Sequence, residues 1–314
     1  MKTIDVLVVG ELNVDLILNQ IESFPELGKE KIARQMNITL GSSSAIFASN
    51  LSSLGARVSF IGKIGNDQFG DVVLQSLKSK GVDIGSIQKS DGLNTGATLV
   101  LNFNEDRAMV THPGAMENLS LKDIPLDEFS KARHLHFSSY FLQPGIQKDL
   151  ASLFKLAKEA GLTTSFDAQW DPNEKWDINL SGVLPYVDIF LPNEKEICYL
   201  TGKTTVEEAV DSIKHLANII LIKMGNKGSV CWHKGEFFHK EPFLNENVVD
   251  AIGAGDSFNA GFIYKFIKKE TLDRCQTFGN LTGAISTTQP GGTTAFTDYT
   301  GIMKIAKDTF GYVE

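Results

Sequence analysis

The chain has 314 residues, of which 42% are hydrophobic and 22% charged, and a net charge of −8. That is enough chain for a large core, in one big α/β domain or two smaller ones. No apolar run approaches the roughly 18 residues of a membrane helix, and scattered lysines on an acidic chain argue against nucleic acid, whose phosphates demand a clustered basic face. A small anionic ligand stays open, because a local pocket can be positive inside an acidic protein.

The opening MKTIDVLVVGELNVD is a short apolar run flanked by acids. It predicts a first strand over Ile4–Val9 and not a signal peptide, which places the chain in the cytoplasm. Further β-branched and apolar runs follow at Val58–Ile61, Ala97–Phe103, His134–Phe137, Leu162–Phe166, Asp188–Leu191 and Ile219–Lys223. Helical patterns lie among them at Ser42–Leu54, Phe69–Lys80, Ile146–Ala160 and Val206–Ala217. This alternation predicts the α/β class: a doubly wound, mainly parallel sheet with helices on both faces.

Two stretches break the alternation. Residues 16–40 have few helical signals and a Phe24-Pro25 turn, and residues 93–113 look like paired strands. They are expected to form a small β lid over the site, the alternative being two ordinary surface hairpins. With no repeat or linker in sight, the chain reads as one domain over 1–314, with a lid subdomain from about 16–40 and 93–113. The three cysteines, Cys198, Cys231 and Cys275, have no CxxC spacing and no neighbouring His cluster, so they are expected to be reduced and structural.

Polar and small residues recur where predicted strands end: Gly10-Glu11, Asp167, Asn193-Glu194 and Gly225-Asn226. Open α/β sheets bind ligands at the carboxyl ends of their strands, so topology should collect these residues along one edge. Near the C-terminus, VVDAIGAGDSFNAGF reads as a glycine turn feeding a helix, with Phe258, Phe262 and Phe266 on one stripe. Free N–H groups at such a start make an anion hole from Gly253, Ala254 and Gly255. Phosphoryl transfer needs those donors plus an acid near the attacking hydroxyl, which makes Asp256 the candidate base.

In LPNEKEICYLTG, Asn193 and Glu196 are three apart at a helix start and could hold Mg²⁺ through ordered waters. Lys223-Met-Gly-Asn-Lys-Gly228 is a strand followed by a glycine turn, and Gly225 and Gly228 permit close approach to a ligand. Asn13 and Asp15 leave the first strand as hydrogen-bonding groups for substrate hydroxyls, and Gly41 and Ser42 open a helix.

Along nearly its whole length the chain resembles the ribokinase-like (PfkB) carbohydrate kinase family. The resemblance rests on VVDAIGAGDSFNAGF, LPNEKEICYLTG, VVGELNVDLI, GKIGNDQFG from Gly62, HPGAMENL from His112 and KMGNKGSV. It implies ATP-dependent transfer of the γ-phosphoryl to a primary alcohol of a sugar or nucleoside. By that resemblance Asp256 is the base, Gly253–Gly255 the anion hole, and Asn193 and Glu196 place Mg²⁺ through water. Lys223, Gly225 and Gly228 contact the nucleotide's phosphates and ribose, with Asn280 near the adenine. Asn13, Asp15, Gly41 and Ser42 bind substrate under the lid, joined by Asp167 and by Arg107 of the lid. A K⁺ site would use Asp250, the Ile252 carbonyl and Ser286, although Ala295 stands where some relatives have a hydroxyl ligand. Two departures bear on the substrate. Ile46 replaces an Asn that often binds sugar, which should disfavour sugars presenting that hydroxyl, ribose among them. FDAQWDPNEKW also differs from the usual Asp-x-Asn-x-Arg pattern.

Two other functional classes compete with a kinase: a catalytically idle sugar or nucleotide sensor on the same fold, and a dinucleotide oxidoreductase. The latter is disfavoured because Gly10-Glu11-Leu12-Asn13 is not GxGxxG. The exposed β face of the lid offers a surface for a homodimer.

Overall fold

β1 (Ile4–Val9) is apolar at nearly every position because both its faces are covered. Val6 and Val8 point into one buried cluster, Leu7 and Val9 into another on the opposite side. The computed structural model describes residues 2–103 and 106–313, with backbone alone at 106 and 107.

The remaining strands are β2 (Asn13–Ile21), β3 (Ala33–Leu40), β4 (Val58–Gly65), β5 (Asp83–Ser90), β6 (Gly96–Phe103), β7 (Asp106–His112), β8 (Ala132–Ser138), β9 (Thr163–Asp167), β10 (Ile189–Phe190), β11 (Ile219–Lys223), β12 (Ser229–His233) and β13 (Glu236–Lys240). The helices are α1 (Ser43–Ser53), α2 (Gln68–Ser79), α3 (Asp127–Lys131), α4 (Pro144–Gln147), α5 (Leu150–Glu159), α6 (Leu180–Val183), α7 (Glu194–Thr201), α8 (Val206–Ile213), α9 (Ala254–Ile267), α10 (Leu272–Ser286) and α11 (Tyr299–Phe310). Residues of α1, α2 and α9–α11 fill the first cluster and those of α3–α8 the second, so helices cover both sheet faces.

The main sheet runs β13-β12-β11-β10-β9-β8-β1-β4-β5. It is parallel from β11 to β5, and β12 and β13 close one edge as antiparallel strands. The chain leaves β1 for β4 and β5, then returns to β8 on β1's other side. The order therefore reverses between β1 and β8, and a crevice opens at their carboxyl ends.

The two stretches that break the alternation pair with each other in a second sheet, β3-β2-β6-β7. Its face is set by register. Ile38, Leu16, Leu99 and Val110 stand side by side across the four strands and leave an apolar row partly open to solvent. The other face carries Asp15, Thr98 and Thr111, also in register.

Some boundaries differ from the sequence expectation. The helix expected over Ile146–Ala160 is two pieces, α4 and α5, because the chain makes a tighter turn at Asp149, whose N–H bonds to Ile146. The sequence expectation lacks β5, β12 and β13, of which β5 and β13 are the edges of the sheet. β5 and β13 are largely exposed and so lack the continuous apolar signature of the central strands. All three cysteines are free. Among the described residues, no helix is long and apolar enough to cross a membrane.

Candidate active site

The crevice begins where β1 ends. The Glu11 carboxylate, 1% exposed, receives hydrogen bonds from Ser42 Oγ at 3.1 Å, the Ser44 N–H at 3.1 Å and Ser139 Oγ at 2.9 Å, and from Ser44 Oγ as well. Burial nevertheless pushes its pKa above the usual carboxylate range. Ser42 caps α1 by accepting from the Ala45 N–H. At Gly41 any side chain would collide with the Asp15 carboxylate and the Asn13 amide, so the glycine is what lets these two groups face the helix start. Asn13 Nδ2 donates to Asp15 Oδ1 and Thr98 Oγ1, both at 3.1 Å, which fixes the pair at the root of the small sheet.

On the other side of the crevice, the ends of β9 and β11 carry Asp167 and Lys223. The buried Asp167 carboxylate accepts from Lys223 Nζ at 2.5 Å, Asn259 Nδ2 at 2.6 Å and Gln169 Nε2 at 3.1 Å. Gln169 Nε2 also donates to Asp256 Oδ1 at 2.9 Å. Asp256, 7% exposed, sits in the first turn of α9. Burial, reinforced by the negative charge of Asp167, raises its pKa to about 7. Glu196 is likewise raised to about 7 by burial and by Asp167. Burial acts to lower the Lys223 pKa, but the adjacent Asp167 and Glu196 prevail and hold it above the usual lysine value.

Asn193 and Glu196 form a capping box. Asn193 Oδ1 accepts from the Lys195 and Glu196 N–H groups, and Glu196 Oε2 accepts from the Asn193 N–H at 2.8 Å. Glu196 is only 3% exposed, which is unusual for a capping acid, and it lines the same cavity as Asp256.

The start of α9 has no side-chain cap. Gly253 precedes it with φ 72°, a left-handed conformation that an L side chain adopts at a cost, and Gly292 and Ile46 press against the place a Cβ would occupy. The loop is tied from behind. Asp250 accepts from the Ile252 and Gly291 N–H groups, both at 2.9 Å, and Ser286 Oγ donates to the Ile252 carbonyl at 3.4 Å. Asn50 donates to Ser257 Oγ and to the Gly292 carbonyl.

Two cavities meet at this helix start. One, of about 340 Å³, is mostly apolar and reaches from Lys223, Gly225 and Gly228 to Phe243, Ala284 and Asn280. The Asn280 side chain donates to the Glu241 carbonyl at 2.9 Å and fixes the wall there. The other, of about 600 Å³, is lined by Asn13, Asp15, Ser42, Glu196, Asp256 and the inner face of the small sheet. They share Lys223, Gly225, Ala251, Ala254 and Gly255. Of Arg107 only the strand is described, and its side chain lies outside the described residues.

Two functional candidates, Asn259 and Gln169, escape the sequence reading, and a third, Glu11, stands in it only as a strand-end residue without a role. Asn259 lies three residues after Asp256, on the same helical face. Gln169 stands in FDAQWDPNEKW, the stretch that departs from the usual Asp-x-Asn-x-Arg pattern, but nothing local signals its reach to Asp256 on a different element.

A profile described as pfkB family carbohydrate kinase matches residues 3–298. The chain is 30% identical over 262 residues to the 2-dehydro-3-deoxygluconokinase of Bacillus subtilis, covering 78% of this chain and 79% of that protein. It is 28% identical over 302 residues to the 5-dehydro-2-deoxygluconokinase of Lacticaseibacillus casei, covering 91% and 90%. Among solved structures, the ribokinase of Thermotoga maritima superposes with a TM-score of 0.84 at 25% identity, covering 97% of this chain and all of that one. The Arabidopsis thaliana ribokinase complexed with ribose and ATP gives 0.83 at 24% identity, covering 96% and 98%.

Proposed function

The chain belongs to the pfkB carbohydrate kinase family and is a sugar kinase; on that premise we propose that it moves the γ-phosphoryl of ATP onto a primary hydroxyl of a small sugar, with Asp256 as general base. One observation carries this reading: a mostly apolar cavity and a more polar one join at the start of α9, beside a buried carboxylate raised to about 7. In the proposed step the acceptor oxygen attacks the γ-phosphorus as the bond to the β–γ bridging oxygen breaks, and ADP leaves. The acceptor's proton passes to the Asp256 carboxylate. N–H groups of the Gly253–Gly255 turn and the Lys223 ammonium take up charge on the moving phosphoryl.

Asn13 and Asp15 are assigned to acceptor hydroxyls, with Gly41 and Ser42 shaping the floor beneath them. Gly225, Gly228 and Asn280 are assigned to the nucleotide. Asp167 is assigned to holding Lys223 and Asn259 in place, since its carboxylate is engaged by both. The small sheet acts as the lid. Its apolar outer row supports pairing with a second copy, which the size of the protein in solution tests.

Among the described residues no three acids or histidines gather closely enough to hold a metal directly, so Mg²⁺ would be held through water, beside Glu196, a buried carboxyl at the cavity shared with Asp256. Glu196 would hold the ion through water, with Asn193 acting mainly as the cap that aims Glu196. When bound, Mg²⁺ neutralises phosphate charge. For K⁺, Asp250 already secures two loop segments through N–H donors, so the cation would add to an ordered loop and omitting it should cost a few-fold in turnover at most.

A nucleoside acceptor is the second reading, favoured by the apolar side chains of Ile46, Leu142 and Trp170 in the acceptor cavity. A coupled ADP-release screen over sugars and nucleosides, with and without K⁺, decides between them. ATP consumption by none of them would point instead to an idle sensor.

A further inference from the structure

Resting on the proposed role of Asp256, we infer that Gln169 is a positioning residue of the transfer step, its one amide group holding Asp256 and Asp167 in a fixed mutual geometry and so aiming the base. The two N–H bonds of its Nε2 reach both carboxylates, at 2.9 Å to Asp256 and 3.1 Å to Asp167. The amide orientation follows from its neighbours, since the opposite orientation would set a carbonyl oxygen against two carboxylates.

The backbone is arranged to permit this reach. Gln169 has φ 61°, in the left-handed region, and its own N–H bonds back to Asp167 Oδ1 at 3.2 Å. Glu174 and Trp176 share that left-handed conformation, at φ 52° and 55°. A non-glycine residue stays there when its surroundings over-determine it. The surroundings here are the Asp171 carboxylate, 3% exposed, which accepts from the N–H groups of Asn173, Lys175 and Trp176. Trp170 packs edge-on against Trp176 and Tyr199, which stack on each other. The loop after β9 is thus a rigid bracket, and Gln169 is its tip.

Chemistry selects the residue type. Asn would be one methylene too short to span the two acids, and Glu would add a carboxylate to a group that already faces Asp167 from β9, Glu11 from the end of β1 and Lys223 from β11. Ser43 of α1 supplies a further hydrogen bond to Asp256. Asp167 is held by Lys223 and Asn259 and cannot follow a displaced Asp256, so the bridge is the element that fixes the base against the sheet.

The test compares Gln169→Leu and Gln169→Asn with the parent chain in steady-state ADP release, using ATP, Mg²⁺ and the sugar turned over fastest in the acceptor screen. Both variants should lose roughly tenfold or more in kcat while KM for ATP stays within about twofold. The acid limb of the kcat–pH profile should move to higher pH by roughly one unit, because a donor to the ionised carboxylate is gone. A rise in acceptor KM alone, with kcat and the limb unmoved, would make Gln169 a plain acceptor contact and overturn the inference. So would parental kinetics in Gln169→Asn, the variant less disruptive to folding. Asp256→Asn runs in parallel. If it is inactive while the Gln169 variants match the parent, only this inference fails. If it turns over normally, the base assignment itself has failed.

Discussion

The two cavities that meet at α9 are built from different materials. The cavity assigned to the nucleotide is bounded largely by glycines and apolar side chains, and of its three amides, Asn226, Asn245 and Asn280, the last is turned onto main-chain carbonyls. The cavity assigned to the acceptor adds to its apolar side chains a set of carboxylates and amides that hydrogen-bond one another. A flat aromatic base and a phosphate chain can be recognised by shape and N–H groups, so that side can be nearly free of titratable groups. Proton removal and hydroxyl recognition need side chains of defined charge, and the acceptor side concentrates them at the expense of burying several acids together.

The contrast can be broken most severely at Asp256. Asp256→Asn should lower kcat by about 10³-fold or more while ATP affinity, measured by calorimetry, changes little, because the change lies on the acceptor side of the shared wall. Filling the opposite cavity should do the reverse. Ala284→Phe is expected to raise KM for ATP by roughly ten- to a hundredfold and to leave acceptor KM within about twofold, as read in two-substrate kinetics. Asn13→Ala should raise acceptor KM by about tenfold and spare ATP, since an unpaired buried hydroxyl costs roughly 1–3 kcal/mol.

The smallest effect sharpens the contrast through pH. Asp256 and Glu196 keep their protons up to about pH 7 in the ligand-free fold, whereas in the unfolded chain they lose them near about 4. Between those values these two groups hold more protons in the folded state, so their contribution to stability falls as pH rises from about 4 to 7, while the buried His134 and His136, whose pKa values burial lowers, contribute in the opposite sense. Turnover needs ionised Asp256 and so should rise over the upper part of that window. The melting temperature of Asp256→Asn relative to the parent should therefore climb as pH rises from about 4 to 7, while the parent's kcat rises over the upper part of the same series. ATP affinity should follow neither trend.

Most of the main sheet was legible because its strands are buried on both faces. The near-continuous apolar runs at Ile4–Val9 and Ile219–Lys223 read plainly as strands, and both match the structure to the residue. β5 and β13 lie at edges, where half the positions face water and the pattern dissolves. The motif residues of the candidate site were legible for a related reason. Gly253 and Asp256 work through a local device, a turn feeding a helix, and local devices leave local signatures. Glu196 was only half legible: the spacing from Asn193 was plain, but the same two residues turned out to cap their own helix, and nothing in LPNEKEICYLTG says that the acid is buried.

What the sequence determined by itself is whatever depends on near neighbours along the chain: the alternation of strands and helices, the glycine turn at α9, the identity of the candidate base. The tertiary structure decided which groups meet. Gln169 touches Asp256 across 87 residues, Asn50 touches Gly292 across 242, and Glu11 gathers serines from α1 and from the end of β8. Those encounters follow from the order reversal between β1 and β8, which brings the carboxyl ends of distant strands together. Hydrogen bonds and charge act over a few ångströms in space, and only the folded chain specifies that distance.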